Sequence, residues 1–193
     1  TKMKKIILVL CICVGSLSYA QVLNKSWKAI TEMKEGPWFS SPEAKAIAEN
    51  VLLYQRSIGG WPKNIQMQKS ISETEKKKLL AEKDSTDEIT IDNGATEQEM
   101  LFLSKMYRQD PDERYQKAFL LGLDYLLKAQ YANGGWPQFF PKKKGYYTHI
   151  TFNDDAMANL LFMFKELKDK SDYFAIKPSD ALVNQIKVAF DKG

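Results

Sequence analysis

Two stretches decide the fold: Gln55-Arg56-Ser57-Ile58-Gly59-Gly60-Trp61-Pro62 and Gln130-Tyr131-Ala132-Asn133-Gly134-Gly135-Trp136-Pro137. They match at the glutamine, both glycines, the tryptophan and the proline, and their tryptophans stand 75 residues apart. Each follows an apolar run at helical spacing: Ala44, Ala48, Val51 and Leu52 before the first, Phe119, Leu120, Leu123, Leu126 and Leu127 before the second. Self-similarity at a long period marks a repeated supersecondary unit. Here the unit is about two helices and a return loop. The glycine pair predicts a left-handed exit from the helix, and the proline blocks its continuation. Each tryptophan is expected to pack over a helix end, with sugar stacking as the alternative.

Upstream of the first of these stretches, Ser41-Pro42 predicts a helix start, since serine caps well and proline suits the first helical position. Residues 21–40 read as an irregular leader. Residues 66–86 are highly charged, and Ser72 with Glu75 predicts a capping box on a short exposed helix. Further helices are expected over 95–108, from Asp110-Pro111 to about 130, over 153–168 and over 179–191. Asp110 is the expected cap of the second of these. Glu88 to Ile91 and Gly145 to Phe152 read as short extended segments. The fold class is mainly α, an α/α toroid or incomplete helical barrel, with short strands near the loops at one end.

Two of those corners carry hard oxygen donors. Thr90-Ile91-Asp92-Asn93-Gly94 leads into one helix, and Thr151-Phe152-Asn153-Asp154-Asp155 into another. Asp92, Asn93 and Asp154 are ligands of the kind calcium takes, and two such corners can converge on one cation. The competing reading is helix capping, for which Asp and Asn at a helix start are well suited. Asn153 looks like a cap in either case. His149 is the single histidine, which excludes a His-rich zinc site. It is either a substrate contact and proton carrier or an ordinary loop residue. Lys63 and Asn64 follow the first tryptophan and can bind an anionic sugar; solvated surface is the alternative. No phosphate loop and no nucleophile elbow is present.

Residues 1–20 have the form of a secretory signal, with Met3 as the expected start. Lys4 and Lys5 precede an apolar run, Ile6 to Val14, and Ser18-Tyr19-Ala20 supplies a cleavage site. The apolar run is too short to span a bilayer. Both cysteines, Cys11 and Cys13, fall in that segment, so the mature chain would have neither disulfide nor thiolate. Lys2, Lys4 and Lys5 also go with it, bringing the formal charge of +4 close to neutral. With no basic stripe, a nucleic-acid partner is not expected. The short run Lys142-Lys143-Lys144 is either solvated loop or a local site for an acidic polymer. The expectation is a secreted or periplasmic monomer, without membrane contact after signal removal.

Four blocks taken in order closely resemble polysaccharide lyase family 10, the pectate lyases. They are Q-R-S-I-G-G-W-P-K-N (55–64), T-I-D-N-G-A-T (90–96), Y-A-N-G-G-W-P-Q-F (131–139) and G-Y-Y-T-H-I-T-F-N-D-D-A-M (145–157). The resemblance spans about residues 42–170. It implies an α/α toroid and calcium-assisted β-elimination of polygalacturonate, giving 4,5-unsaturated oligogalacturonides. By motif, Asp92, Asn93 and Asp154 would hold Ca2+. The family's base is an arginine well C-terminal of the second aspartate. Arg56, Arg108 and Arg114 lie in no matching block, so the base is expected beyond the chain end. The chain is therefore expected to be the N-terminal part of a catalytic domain, and a poor lyase alone. A non-catalytic pectate-binding helical module is the alternative. The Q-x-x-x-G-G-W pattern is also similar to the tryptophan repeats of triterpene cyclases, but no acidic proton-donor motif accompanies it.

Overall fold

A computed structural model describes residues 22–141 and 144–193. The signal-peptide reading, both cysteines, and Lys142 and Lys143 lie outside the described residues. Seven helices are described: α1 Trp27–Thr31, α2 Pro42–Tyr54, α3 Glu73–Ala81, α4 Glu97–Gln109, α5 Glu113–Ala129, α6 Ala156–Lys168 and α7 Asp180–Lys192. The main packing pairs are α4 with α5 and α6 with α7, and α2 packs across α4. This is the paired-helix layering of a toroid-like α/α fold. Among the described residues no helix is long and apolar enough to cross a membrane.

Both tryptophans are packing residues. Trp61 and Trp136 are fully buried. Trp61 Nε1 donates to the Val51 carbonyl at 2.7 Å, and Trp136 Nε1 to that of Leu126 at 2.8 Å. Each indole therefore satisfies a carbonyl in the last turns of the helix it follows. The expected left-handed helix exit is not what the glycines provide. The helices end earlier, at Tyr54 and Ala129, with Gln55 and Gln130 as the caps. Gln55 Nε2 bridges the carbonyls of Gly59 and Ala118, both at 2.8 Å. Gln130 Nε2 bridges those of Gly134 and Ala189, at 2.9 and 2.8 Å. One amide thus closes the loop and ties it to the next helix pair. Gly59 and Gly134 sit at φ +115° and +96°, where a Cβ would fall 2.2 Å from Leu121 O and 1.9 Å from Lys192 O. Only glycine fits there, because the loop backbone presses on the neighbouring helix.

Several boundaries differ from expectation. The leader is not irregular. Trp27, Ile30 and Phe39 are buried, and the rings of Trp27 and Phe39 both pack at a tilt against Phe102. α1 has five residues, too few to show a helical period, and its order comes from tertiary contacts. Lys105 Nζ takes the Thr31 and Met33 carbonyls at 2.7 and 2.8 Å, and so holds its C-terminal end. α5 is capped by Asp112, whose Oδ1 accepts from Arg114 N at 2.8 Å, whereas Asp110 terminates α4. The capping box of Ser72 with Glu75 and the cap at Ser41 are as the sequence predicts. The charged excursion is pinned to the body. Lys83 Nζ reaches the Leu52, Leu53 and Gln55 carbonyls, and Arg56 pairs with Glu82.

The short strands are single antiparallel bridges, Pro62 with Ile89, Thr90 with Phe139, and Pro137 with Ile150. Each outgoing segment after a tryptophan pairs with the incoming segment of its own unit. Thr90 then pairs onward with the second unit. The expected extended segment over 145–152 instead contains a 3-10 turn, Tyr146–Thr148. These bridges bring the two donor-bearing corners to the same end of the molecule.

Candidate metal and sugar site

The two corners are copies of one backbone motif. Ile91 (φ −103°, ψ 1°) matches Phe152 (φ −110°, ψ 5°), and Asn93 (φ 54°, ψ 28°) matches Asp154 (φ 51°, ψ 33°). Positive φ follows at Gly94 and at Asp155, 72° and 57°. Asp92 N donates to Thr90 Oγ1 at 3.0 Å, and Asn153 N to Thr151 Oγ1 at 3.2 Å. Thr90-Ile91-Asp92-Asn93-Gly94-Ala95 thus superposes in role on Thr151-Phe152-Asn153-Asp154-Asp155-Ala156. Left-handed backbone favours Asn and Asp among non-glycine residues, which explains why these types recur. Such strained positions cluster at functional sites.

Capping does not account for the donors. The caps of the two corner turns are Ile91 and Phe152, and Asp155, at the cap of α6, makes no side-chain capping bond. Nor is Asn153 a cap: its Nδ2 donates to Tyr146 Oη at 2.7 Å. The first corner is held instead by Thr96, whose Oγ1 donates to Thr90 O at 3.0 Å while its N–H meets Glu99 Oε2 at 2.7 Å.

The structure brings Asn93, Asp154 and Asp155 onto one cavity of about 500 Å³, between the starts of α4 and α6. The two corner turns are in direct contact. Asn93, Asp154 and Asp155 are all exposed. Asp155 is a donor that the sequence reading does not name as a ligand: the match between the corners sets it opposite Gly94, so the pattern carries no signal for it. Asp92 does not line this cavity. It is 2% exposed, and one carboxylate oxygen is engaged by the Lys63 ammonium. Its other oxygen, Oδ1, is buried without a partner. Burial pushes its pKa up, but hydrogen bonds and the charge of Lys63 outweigh this and hold the carboxyl below its ordinary value.

Lys63 is half-buried and lies over the Phe139 ring at 5.4 Å. Asn64, at φ 64°, accepts from Asn93 through its side chain. With Asn93, Gln66 and Gln98 they line a second, small polar cavity of about 100 Å³. His149 is exposed on the loop before Ile150, away from both cavities, and its backbone N–H is bonded to Tyr146 O at 3.1 Å. Two buried acids stand behind the first corner. Burial, with the nearby Glu99 charge, pushes Glu97 well up, and burial pushes Glu99 up to about 7. Glu97 lines the larger cavity, and neither of its oxygens has a partner.

An amide oxygen and two exposed carboxylates fit a hard cation that takes oxygen ligands and completes its shell with water or substrate. Among the described residues no three His, Cys, Asp or Glu side chains form a metal-binding group, so the amide and exogenous oxygens would be needed. All three arginines are engaged in ion pairs: Arg56 with Glu82, Arg108 with Glu35 and Asp172, and Arg114 with Asp112 and Glu49. None lines the larger cavity.

The fold and its loops define a toroid-like α/α protein with acidic, oxygen-rich corners at one end, and comparison with known proteins narrows the class. The model of the family described as pectic acid lyase matches residues 55–193. A family 10 polysaccharide lyase from Cellvibrio cellulosa is similar in structure. Its TM-score is 0.61 and its identity 33%, over 81% of this chain and 47% of that one. An aspartate-to-alanine variant of a family 10 lyase from the same organism, in complex with trigalacturonic acid, matches at 32% identity. Its TM-score and coverage are the same. No curated protein matches. The chain belongs to the pectic acid lyase family, and it spans about half the length of the solved relatives it matches.

Proposed function

We propose that this chain carries the cation-holding and pectate-binding corners of a lyase that cleaves polygalacturonate by β-elimination, leaving 4,5-unsaturated oligogalacturonides. The observation that carries this reading is the convergence of Asn93 with Asp154 and Asp155 on one cavity in a chain of this family. The trigalacturonic acid bound to a related lyase supports a uronate substrate. The C5 proton of a uronate is weakly acidic, and removing it builds charge on the adjacent carboxylate. Bound calcium would supply a Lewis acid to that carboxylate. Asn93 and Asp154 would hold the ion, with Asp155 beside them. Asp92 keeps Lys63 at the rim of the first corner, where its ammonium can meet a sugar carboxylate. His149, exposed outside the cavity, would contact a longer chain of sugar. The signal-like leader supports a secreted or periplasmic location.

A non-catalytic reading is favoured by one observation. The three arginines are held in ion pairs, so none of them stands ready as a base. We therefore expect this chain alone to bind oligogalacturonate with calcium and to cleave it poorly. The test measures trigalacturonate binding by calorimetry and, in parallel, ultraviolet absorbance of the conjugated unsaturated product, each with calcium and with chelator. Calcium-dependent binding with little product supports the proposal. Calcium-independent binding, or none, contradicts it.

A further inference from the structure

We propose that Asn64 is a positioning residue for the cation site and not a sugar contact: it orients the Asn93 amide so that its oxygen, and not its NH2 group, faces the cation. This rests on the calcium reading above.

The two corners face different problems. Asp154 offers a carboxylate, whose two oxygens are equivalent, so rotation about its last bond costs the site nothing. Asn93, in the same backbone slot, offers an amide with one oxygen and one NH2. An NH2 turned to the cation repels it, so the amide needs a partner that fixes its sense. Asn64 Oδ1 accepts from Asn93 Nδ2 at 3.1 Å, which turns the carbonyl oxygen away from Asn64. Asn93 borders both cavities: the small one shared with Asn64, and the larger one shared with Asp154 and Asp155. The backbone at Asn93 is fixed as well, because Gln98 Nε2 donates to its carbonyl at 3.2 Å.

The preceding residue follows the same logic. Lys63 engages Asp92 and Asn64 engages Asn93, so two consecutive residues after the first tryptophan grip the two consecutive donor residues of the corner. Asn64 holds this place with a left-handed backbone, φ 64°, which asparagine tolerates better than most residues. Outer partners of this kind set ligand orientation and cost about 10–100-fold in metal affinity when removed.

The experiment is calcium titration of the full chain by calorimetry without sugar, for wild type, Asn64→Gly and Asn64→Asp, with calcium-free melting of each. Glycine tolerates the left-handed backbone and removes the acceptor with the rest of the side chain; aspartate keeps an acceptor oxygen. The expected result is an affinity about tenfold weaker in Asn64→Gly. Asn64→Asp should bind at least as tightly as wild type, and the calcium-free melting temperature should not fall. Unchanged calcium affinity in Asn64→Gly would overturn the inference, as would equal weakening in both variants. A wild-type chain that binds no calcium would overturn the metal reading itself, and this inference with it.

Discussion

The first and second tryptophan units use one scaffold and diverge at their corners. Gln55 and Gln130 bridge matching carbonyls, and Trp61 and Trp136 satisfy matching helix ends. At the corners, Ile91 is 1% exposed while Phe152, in the same slot, is 78% exposed. The cause is visible in the bridges. Gln138 O, on the second unit's outgoing segment, accepts from Ile91 N at 3.2 Å and from Thr90 Oγ1 at 2.5 Å, sealing the first corner. The second corner is open among the described residues. Donor chemistry also differs in the slot that faces the cavity, an amide at 93 and a carboxylate at 154. Scaffold and chemistry are therefore separable: the repeat fixes where the backbone goes, and the corner residue fixes what is offered to a ligand.

The largest expected effect tests the shared scaffold. Trp61→Ala and Trp136→Ala each remove a fully buried indole and its hydrogen bond, and should each cost about 3–5 kcal/mol in urea unfolding. If only one of them destabilises, the two units are not energetically equivalent. Next comes the divergence. Ile91→Ala should cost about 2–4 kcal/mol, whereas Phe152→Ala should stay within about 0.5 kcal/mol. Equal costs would mean that Phe152 is covered in solution.

A third, smaller effect lies behind the corners. In the slot where α6 carries buried Leu160, α4 carries Glu99, pushed up to about 7 by burial. A raised carboxyl pKa binds more protons in the folded state. Its contribution is therefore full below pH 4.5 and is lost as pH rises through 7. Glu97 acts in the same direction. Glu99→Gln should flatten this decline by on the order of 1–2 kcal/mol, read by denaturation at several pH values. The smallest effect has the opposite sign. Asp92, held below its ordinary value, contributes stability that is present above pH 3.8 and lost as pH falls through its folded pKa. Lys63→Met should shrink that acid-side loss, and an unchanged acid limb would argue against the Lys63 pairing.

Much of this was legible in the chain. The repeat at 55–62 and 130–137 declared the helix pairs, and Ser41-Pro42 and Ser72 with Glu75 set two helix starts by local chemistry. The oxygen-rich corners stood out by residue type. What was not legible depended on long-range contacts. Trp27 is ordered by Phe102 and Glu99, more than seventy residues away, so residues 21–40 carried no periodic sign of their helix. Nothing local predicts that Asp92 turns to Lys63 while Asp155 faces the cavity. The left-handed backbone that makes the difference shows itself only through the match between Thr90–Ala95 and Thr151–Ala156. Capping was a fair expectation from the same residues, but Thr96 holds the first corner and leaves the donors to other partners.

Whether the two corners build one cation site is decided by calcium titration of the chain by calorimetry, comparing wild type with Asn93→Ala and Asp154→Ala, one variant from each corner. The convergence of the two corners predicts a single class of site that either substitution weakens strongly, with the calcium-free fold unchanged by circular dichroism. Wild-type affinity in either variant would contradict it, because a site that survives the loss of one corner is not built from both.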